Sequence, residues 1–260
     1  EPAVGDPGRE RFHEMLSVFL GEQVPPEYVP MIREDMGFDP ADTVWPSGVP
    51  DDAAGRLDVL VIGAGASGIA LSAKLSRLGI EHTVVERHAD VGGTWFANAY
   101  PGVGVDTPNH FYCYSFAPNS GWTRYFSQGA ELREYLDRFA TEAGVRDRLV
   151  LGTEVVAARW DEATRRWTVT CRSADGSTHA RTAAVVVAAT GHFSHPVSAR
   201  FDGIDTFTGE VFHSAHWPAD AALVGKRVAV VGTGASAMQI VPTIADSVAD
   251  VGMNALAVRA

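Results

Sequence analysis

The clearest hydrophobic pattern in the chain is a pair of short apolar runs separated by a glycine-rich turn and a helical segment. The mainly apolar run Leu57–Ile62 is typical of a strand in a parallel sheet that is covered on both faces. It leads into a turn with glycine at 63, 65 and 68, then into a predicted helix that reaches Leu78. Glu81–Glu86 supplies a second strand. The pattern therefore predicts a βαβ unit.

Further elements follow the same two periodicities. Apolar residues at helical spacing predict a helix over Ala130–Ala143, and alternating or continuous apolar runs predict strands. The predicted strands are Val155–Trp160, Trp167–Arg172, Ala183–Ala189 and Arg227–Val231. The last of them enters a second glycine turn and an apolar helix that extends to about Ile244. The chain thus contains two strand–glycine–helix starts of the nucleotide-binding kind.

The first part of the chain reads as a separate appendage. Two short helices are predicted, Arg11–Leu20 and Tyr28–Met36, and the segment Pro40–Gly55 is rich in Pro, Asp and Gly, as linkers are. We therefore predict a helical extension with its linker over residues 1–56. A first dinucleotide-binding domain is expected over 57–200, and a connection with the start of a second over 201–260.

Charge and cysteine content narrow the possible functions. The net charge is −11 and Lys and Arg do not cluster, so neither nucleic acid nor an anionic membrane is expected as a partner. The longest apolar run is too short to span a bilayer, and no leader-like segment opens the chain. With only Cys113 and Cys171, far apart, a disulfide framework, a zinc cage and a redox-active dithiol are not expected. A cytoplasmic location is the expectation.

The first glycine turn has the residues that a dinucleotide diphosphate needs. A helix N-terminus presents free backbone N–H groups and the positive end of the helix dipole to an anion. Gly63 would permit the tight turn, Gly65 the approach of the phosphates, and Gly68 the close packing of helix on strand. Glu86, at the end of the second strand, could accept hydrogen bonds from a ribose, which suits FAD or NAD. The structural alternative is an ordinary glycine-rich βα turn.

Three ordered motifs then carry a resemblance to a known family. Gly92-Gly93-Thr94-Trp95 is followed by Tyr100-Pro101-Gly102 and by Asp106, and later by Phe207-x-Gly209-x-x-x-His213-x-x-x-Trp217-Pro218. The second glycine turn reads Gly232-x-Gly234-x-x-Ala237. Over about residues 57–248 the chain resembles the type I Baeyer–Villiger flavin monooxygenases. The segment Val24–Pro30 further resembles the N-terminal extension of the 4-hydroxyacetophenone monooxygenase subgroup.

The resemblance implies an α/β, Rossmann-like flavoprotein fold with two dinucleotide-binding units, incomplete at its end and preceded by the short helical extension. FAD is the implied cofactor of the first unit and NADPH that of the second. The implied FAD-binding residues are Gly63, Gly65, Ser67, Gly68, Glu86, Arg87, Gly93, Thr94, Trp95, Asp106, Tyr112 and Val155. Those implied for NADPH are Gly232, Gly234, Ser236 and Ala237.

Two residues are implied to serve the reaction. Asp106 matches the family aspartate near the flavin ring, and its alternative reading is a turn-capping acid. His213 is read as a conformational residue between the two nucleotide domains, with Trp217 as its packing support, against the alternative of a structural histidine. Trp95 and Tyr112 could equally be packing aromatics. No histidine spacing indicates a metal site.

The implied reaction inserts one oxygen atom of O2 beside the carbonyl of a ketone substrate, giving an ester or lactone. In the family, the arginine that assists this step lies beyond the position that corresponds to residue 260. A Gln-Arg pair expected for the NADP phosphate is replaced by Asp250–Asn254, and Arg259 is a weak substitute. We therefore expect a complementary C-terminal chain or a homo-oligomer. A non-catalytic FAD-binding fragment and a flavin N- or S-oxygenase stay open as alternatives.

Overall fold

The computed structural model describes residues 5–39, 57–197 and 202–254. The described chain divides into two compact units. The first contains residues 5–39 together with Cys113–Pro118, and the second contains the other described residues up to 112 and from Asn119 onward.

The first unit is a small helical body built around one buried arginine. Helices α1 (Arg9–Leu20) and α2 (Val29–Asp35) are joined through a 3-10 turn at Pro26–Tyr28. Arg33 is only 2% exposed. Its guanidinium bonds both Asp6 oxygens at 2.9 and 2.8 Å and lies 5.5 Å from the ring centre of Phe12. This planar, forked cation therefore joins the start of the chain to both helices.

The second unit begins with the predicted βαβ unit. Strand β1 (Val59–Ile62) leads into helix α3 (Ala66–Arg77) and strand β2 (His82–Val85). With β3 (Leu149–Val150) and β7 (Val185–Ala188) they form a parallel sheet in the order β3-β2-β1-β7. Helix α3 buries Gly68, Ile69, Ser72, Ala73 and Leu75. The prediction of a βαβ unit is confirmed.

Three antiparallel strands are inserted between β3 and β7. They are β4 (Thr153–Asp161), β5 (Arg166–Ser173) and β6 (Thr178–Ala183), paired in that order. The two sheets share one apolar cluster of buried side chains, which consists of Leu60, Val85, Val169, Cys171 and Ala183. Burial also raises the pKa of the Cys171 thiol. The inserted sheet is thus part of the same core as the parallel sheet.

Two further helices lie between β2 and β3. Helix α4 (Thr94–Ala97) is a single turn, and α5 (Gly129–Glu142) is a longer amphipathic helix. The buried face of α5 consists of Gly129, Leu132, Tyr135, Leu136 and Ala140, spaced three and four residues apart as one side of a helix requires. The 3-10 turn Val145–Arg148 then connects α5 to β3.

The second glycine unit follows two short 3-10 turns, Ile204–Thr206 and Ser214–His216. Strand β8 (Arg227–Val231) enters α6 (Ala235–Ile244), and β9 (Asp250–Asn254) pairs in parallel with β8. Residues Asp250–Asn254, which lack the expected Gln-Arg pair, still form the second strand of a βαβ unit.

One predicted strand is wrong in its extent. The run Ala183–Ala189 contains the end of β6 and a separate strand, β7, with Ala184 between them. The amide of Ala184 donates to the Asp58 carboxylate at 2.8 Å and to its carbonyl at 3.1 Å, which takes this residue out of both ladders. Strand β6 was not predicted, because most of its residues are polar and exposed.

The predicted domain limits at residues 56 and 200 stay predictions, and the linker predicted over Pro40–Gly55 lies outside the described residues. Among the described residues, no helix is both long and apolar enough to cross a bilayer.

The Arg33 fork predicts how the first unit is held together. Replacing Arg33 with Lys keeps the charge but removes the planar fork that bonds Asp6 and Asp39, so the unit should open more often. We expect several-fold faster chymotrypsin cleavage after Phe12 in R33K. The matched control is Arg9→Lys, because the Arg9 side chain is 70% exposed and reaches Asp39 only at 3.4 Å. Equal cleavage rates for both variants would contradict this role.

Candidate functional site

The first glycine turn lies at the carboxyl end of β1, where strand, turn and helix come closest together. Gly63 has a φ of +104°, and a Cβ there would lie 2.6 Å from the carbonyl oxygen of Ala189. A Cβ on Gly68 would lie 1.9 Å from the carbonyl oxygen of Gly63. Both positions therefore exclude a side chain, as the tight turn and the close helix–strand packing require.

Gly65 differs from Gly63 and Gly68 because it faces another glycine. A Cβ on Gly65 would meet only the Cα of Gly93 at 3.5 Å. Gly93 has a φ of +55°, and a Cβ on it would lie 2.7 Å from the Cα of Gly65. The amide of Gly92 also donates to the carbonyl of Ala64 at 3.0 Å. The Gly-Gly-x-Trp segment thus packs directly against the first glycine turn, and α3 begins at this point.

Glu86 ties the turn to the strand beside it. Its side chain is 5% exposed. One carboxylate oxygen accepts from the amide of Ala64 at 2.6 Å, and the other accepts from the amide of His88 at 2.8 Å. A carboxylate oxygen has room for more than one donor, so these bonds leave acceptor capacity for a ribose. Glu86 therefore already orders the turn before any ligand arrives.

Trp95 and Tyr112 form a pair beyond the second set of glycines. The indole N–H donates to the Tyr112 hydroxyl at 3.1 Å, and the rings meet edge to face with centres 5.6 Å apart. Trp95 is half-buried and Thr94 is exposed at the start of α4. The pair lies at the surface of the unit, where the rings can contact a ligand, and not in its apolar core.

Asp106 is exposed and follows a loop whose backbone is paired with residues 127 and 128. The amide of Val105 donates to the carbonyl of Ser127 at 3.0 Å, and Gly104 forms a bridge with Gln128. The hydroxyl of Thr107 lies 3.5 Å from the Asp106 carboxylate. The carboxylate therefore projects from a fixed backbone while its side chain stays accessible.

Arg87 follows Glu86 directly, and Val155 lies near the start of β4. The guanidinium of Arg87 donates to the carbonyl of Ser194 at 2.5 Å and to the ring of His88 at 3.2 Å. Burial lowers the pKa of His88, so its ring is neutral at neutral pH and can accept this bond. Val155, beside a bulge in β4, packs against the core cluster of the two sheets. Arg87 thus connects β2 to the segment after β7.

The second glycine turn is more open than the first. Gly232 has a φ of +127°, and a Cβ on Gly232 or Gly234 would meet no atom of the described residues within 4 Å. Ala237 is 5% exposed and packs the first turn of α6, with Ser236 half-buried before it. The space beside these glycines is available to a ligand.

His213 and Trp217 have different surroundings. The ring Nδ1 of His213 accepts from the amide of Ala215 at 3.1 Å and so caps the 3-10 turn Ser214–His216. Trp217 packs edge to face on Phe212 and against the cluster of Tyr100, Ile240 and Ile244. Trp217 therefore supports the contact of α6 with residues 100–105, which we call the Tyr100 loop.

Sequence reasoning missed two features of this region. Tyr100 is part of the Tyr-Pro-Gly motif, which predicts no partner for its hydroxyl, and Gln239 lies outside the second glycine motif. The two side chains nevertheless bond each other at 2.9 Å. The buried Asn109 binds Ser127 and the carbonyl of Arg124 and thereby closes the loop after Asp106. No periodicity or motif spacing marks such pairs, because their members are distant in sequence. Across the described ranges, no group of three or more His, Cys, Asp or Glu residues could hold a metal ion.

Comparison with known proteins decides the family. The model for the family described as "FMO-like: Flavin-binding monooxygenase-like" matches residues 56–257. The chain belongs to the flavin-binding monooxygenase-like family. It is 46% identical over 187 residues to a Baeyer–Villiger monooxygenase of Streptomyces coelicolor, which covers 72% of this chain and 35% of that protein. The chain spans about a third of the length of the curated relatives it matches.

Solved structures of this family share the fold. OTEMO in complex with FAD and NADP is 37% identical, with a TM-score of 0.69 over 76% of this chain and 38% of that one. A cyclohexanone monooxygenase with bound ε-caprolactone is 34% identical, with a TM-score of 0.69 over 76% of this chain and 39% of that one. The predicted α/β, Rossmann-type flavoprotein fold is confirmed.

The glycine geometry predicts opposite effects of two alanine substitutions. Gly68→Ala should lower the free energy of unfolding by about 1–3 kcal/mol or more, because its methyl group would overlap the Gly63 carbonyl. Gly65→Ala should leave stability unchanged or slightly higher, because its Cβ has room and its φ is −78°. Urea unfolding followed by tryptophan fluorescence measures both. A strongly destabilised G65A protein would refute the assignment of Gly65 to ligand approach alone.

Proposed function

We propose that the protein is an FAD- and NADPH-dependent monooxygenase of the Baeyer–Villiger type, which inserts an oxygen atom of O2 beside a ketone carbonyl. The observation that carries this proposal is the contact of Gly65 with Gly93. It brings the Gly-Gly-x-Trp segment against the first glycine turn, so that a single extended ligand could reach from the helix N-terminus to Trp95.

The residues around the first glycine turn fit the two ends of FAD. The turn of Gly63, Gly65, Ser67 and Gly68 would hold the diphosphate at the N-terminus of α3. Glu86 would accept from the adenosine ribose, with Arg87 and the backbone of Val155 at the adenine side. This assignment is supported by the glycine clearances and by the buried, backbone-bonded carboxylate.

At the other end, the flavin ring would lie near Gly93, Thr94 and Trp95. Tyr112 would fix the indole through the hydrogen bond between them. Asp106, exposed on its held loop, would place a negative charge beside the ring and orient a cation supplied from outside the described residues. Bound FAD would supply the redox chemistry, taking hydride from NADPH and passing electrons to O2.

NADPH would bind at Gly232, Gly234, Ser236 and Ala237, where the N-terminus of α6 faces open space. The 2′-phosphate partner stays unassigned, since Arg259 lies outside the described residues. His213, which caps the turn before β8, would act as a conformational residue between the two nucleotide sites. A backbone amide donates to its ring Nδ1, which supports a conformational role for His213 more than a role in proton transfer.

A ketone substrate is favoured by three observations. The Phe207–Pro218 fingerprint ends in Trp217-Pro218, and the relative from Streptomyces coelicolor is itself named a Baeyer–Villiger monooxygenase. The cyclohexanone monooxygenase neighbour holds a lactone. Three further points stay predictions from the sequence. They are membership of the 4-hydroxyacetophenone subgroup, a complementary chain or second copy as partner, and a cytoplasmic location.

The direct test is a substrate comparison with the full-length protein. We expect a yellow protein, NADPH-dependent oxygen uptake with ketones, and products heavier by one oxygen atom, measured by oxygen electrode and mass spectrometry. Amines and sulfides serve as matched alternative substrates. Uptake with amines or sulfides but not ketones would replace this proposal with N- or S-oxygenation. Flavin binding without turnover of any substrate would favour a non-catalytic module.

The role of Glu86 gives a second test. Gln at this position keeps the size of the side chain but replaces one acceptor oxygen with an N–H donor. That donor would face another donor, either a backbone amide or a ribose hydroxyl. We expect FAD affinity to fall by about tenfold or more in E86Q, which corresponds to one unfavourable polar contact. The control is Glu81→Gln, near the opposite end of β2, whose side chain is 70% exposed. Quenching of flavin fluorescence measures both dissociation constants, and equal values would rule out Glu86 as a ligand group.

A further inference from the structure

Helix α6 touches the backbone of the loop before Asp106 directly at Gly102. A Cβ on Gly102 would lie 2.3 Å from the hydroxyl oxygen of Thr243 and 2.6 Å from the carbonyl oxygen of Gln239. Gly102 also has a φ of +82°, so glycine is required here for two independent reasons. A contact this close transmits displacement, because the nearest atoms of the helix are the Gln239 carbonyl and the short, branched Thr243 side chain, which have little room to absorb it.

Gln239 spans the turn of this loop with both ends of its amide. Its oxygen accepts from the hydroxyl of Tyr100 at 2.9 Å, and its nitrogen donates to the carbonyl of Gly104 at 2.8 Å. Tyr100 is 7% exposed and packs against Ile240 and Ile244 of the same helix. The two bonds are complementary, so together they define the orientation of the amide and hold both ends of the turn.

The loop is also bonded to Ser127 and to Gly129, the first residue of α5. The amide of Val105 donates to the carbonyl of Ser127, and the amide of Gly129 donates to the carbonyl of Val103 at 2.8 Å. The loop thus contacts both this segment and α6. Asp106 follows this loop directly, two residues beyond the carbonyl that Gln239 holds.

We propose that Gln239 is a positioning residue that couples the second nucleotide site to Asp106. It lies one turn beyond the glycine turn of α6, so a ligand that moves or steadies the N-terminus of this helix also acts on the Gly104 carbonyl. The inference rests on the proposed function, because it requires a nucleotide at each glycine turn. Coupling between two such sites is reciprocal and typically amounts to about 5–150-fold in affinity.

The test measures this coupling in the full-length protein. The dissociation constant of FAD is determined by flavin fluorescence with and without saturating NADP+, and the ratio of the two values is the coupling factor. We expect a several-fold ratio for the wild type and a ratio near one for Gln239→Leu, which is similar in size but makes neither hydrogen bond. The matched control is Met238→Leu, the adjacent residue of α6, which is 61% exposed; it should keep the wild-type ratio.

A second variant and a second readout complete the test. Gln239→Glu keeps the acceptor for Tyr100 and removes the donor to Gly104. It should also give a ratio near one, and it replaces Q239L if that variant does not fold. Hydrogen exchange of residues 100–106 should slow on NADP+ addition in the wild type and not in either Gln239 variant.

The outcomes separate this inference from the proposed function. A purely structural Gln239 would weaken FAD equally with and without NADP+, which leaves the ratio unchanged and overturns the inference. A wild-type ratio of one overturns it as well. A wild-type protein that binds neither nucleotide overturns the proposed function and this inference together, whereas tight binding of both with an unchanged ratio in Q239L overturns the inference alone.

Discussion

The architecture depends on one close approach, that of α3 to the end of β1. The helix can begin where it does only because Gly68 lacks a side chain above the Gly63 carbonyl. This approach directs the N-terminus of α3 at the space beside Gly65, and Glu86 then holds the turn through the Ala64 amide. The positive end of the helix dipole is consequently aimed at this space.

The two glycine turns use the same geometry with different degrees of closure. The first is covered by Gly93, which approaches the Cα of Gly65 closely, whereas in the described part of the chain a Cβ on Gly232 or Gly234 would meet nothing within 4 Å. The apolar cluster that includes Trp217 joins α6 to Tyr100. A closed site suits a resident cofactor and an open site suits a ligand that must come and go, which is why we propose FAD at the first turn and NADPH at the second.

The sequence predicted the elements whose pattern is local and missed those whose pattern depends on the surroundings. Strands β1, β2 and β8 and helices α3, α5 and α6 were found because their apolar periodicity is strong. Strand β6 was missed because it is largely exposed, and the break at Ala184 was missed because an acid more than a hundred residues earlier causes it. Strand β9 was noted only as a departure from the expected motif.

The sequence by itself predicted the two glycine turns, since their spacing and the acid at the end of the second strand are short-range features that backbone geometry demands. Its three ordered motifs predicted the family. Only the tertiary structure decided which residues meet across the chain: Gly65 with Gly93, Trp95 with Tyr112, and Gln239 with the Tyr100 loop. Such contacts depend on how elements pack, and a hydrogen bond between two distant side chains leaves no periodic trace along the chain.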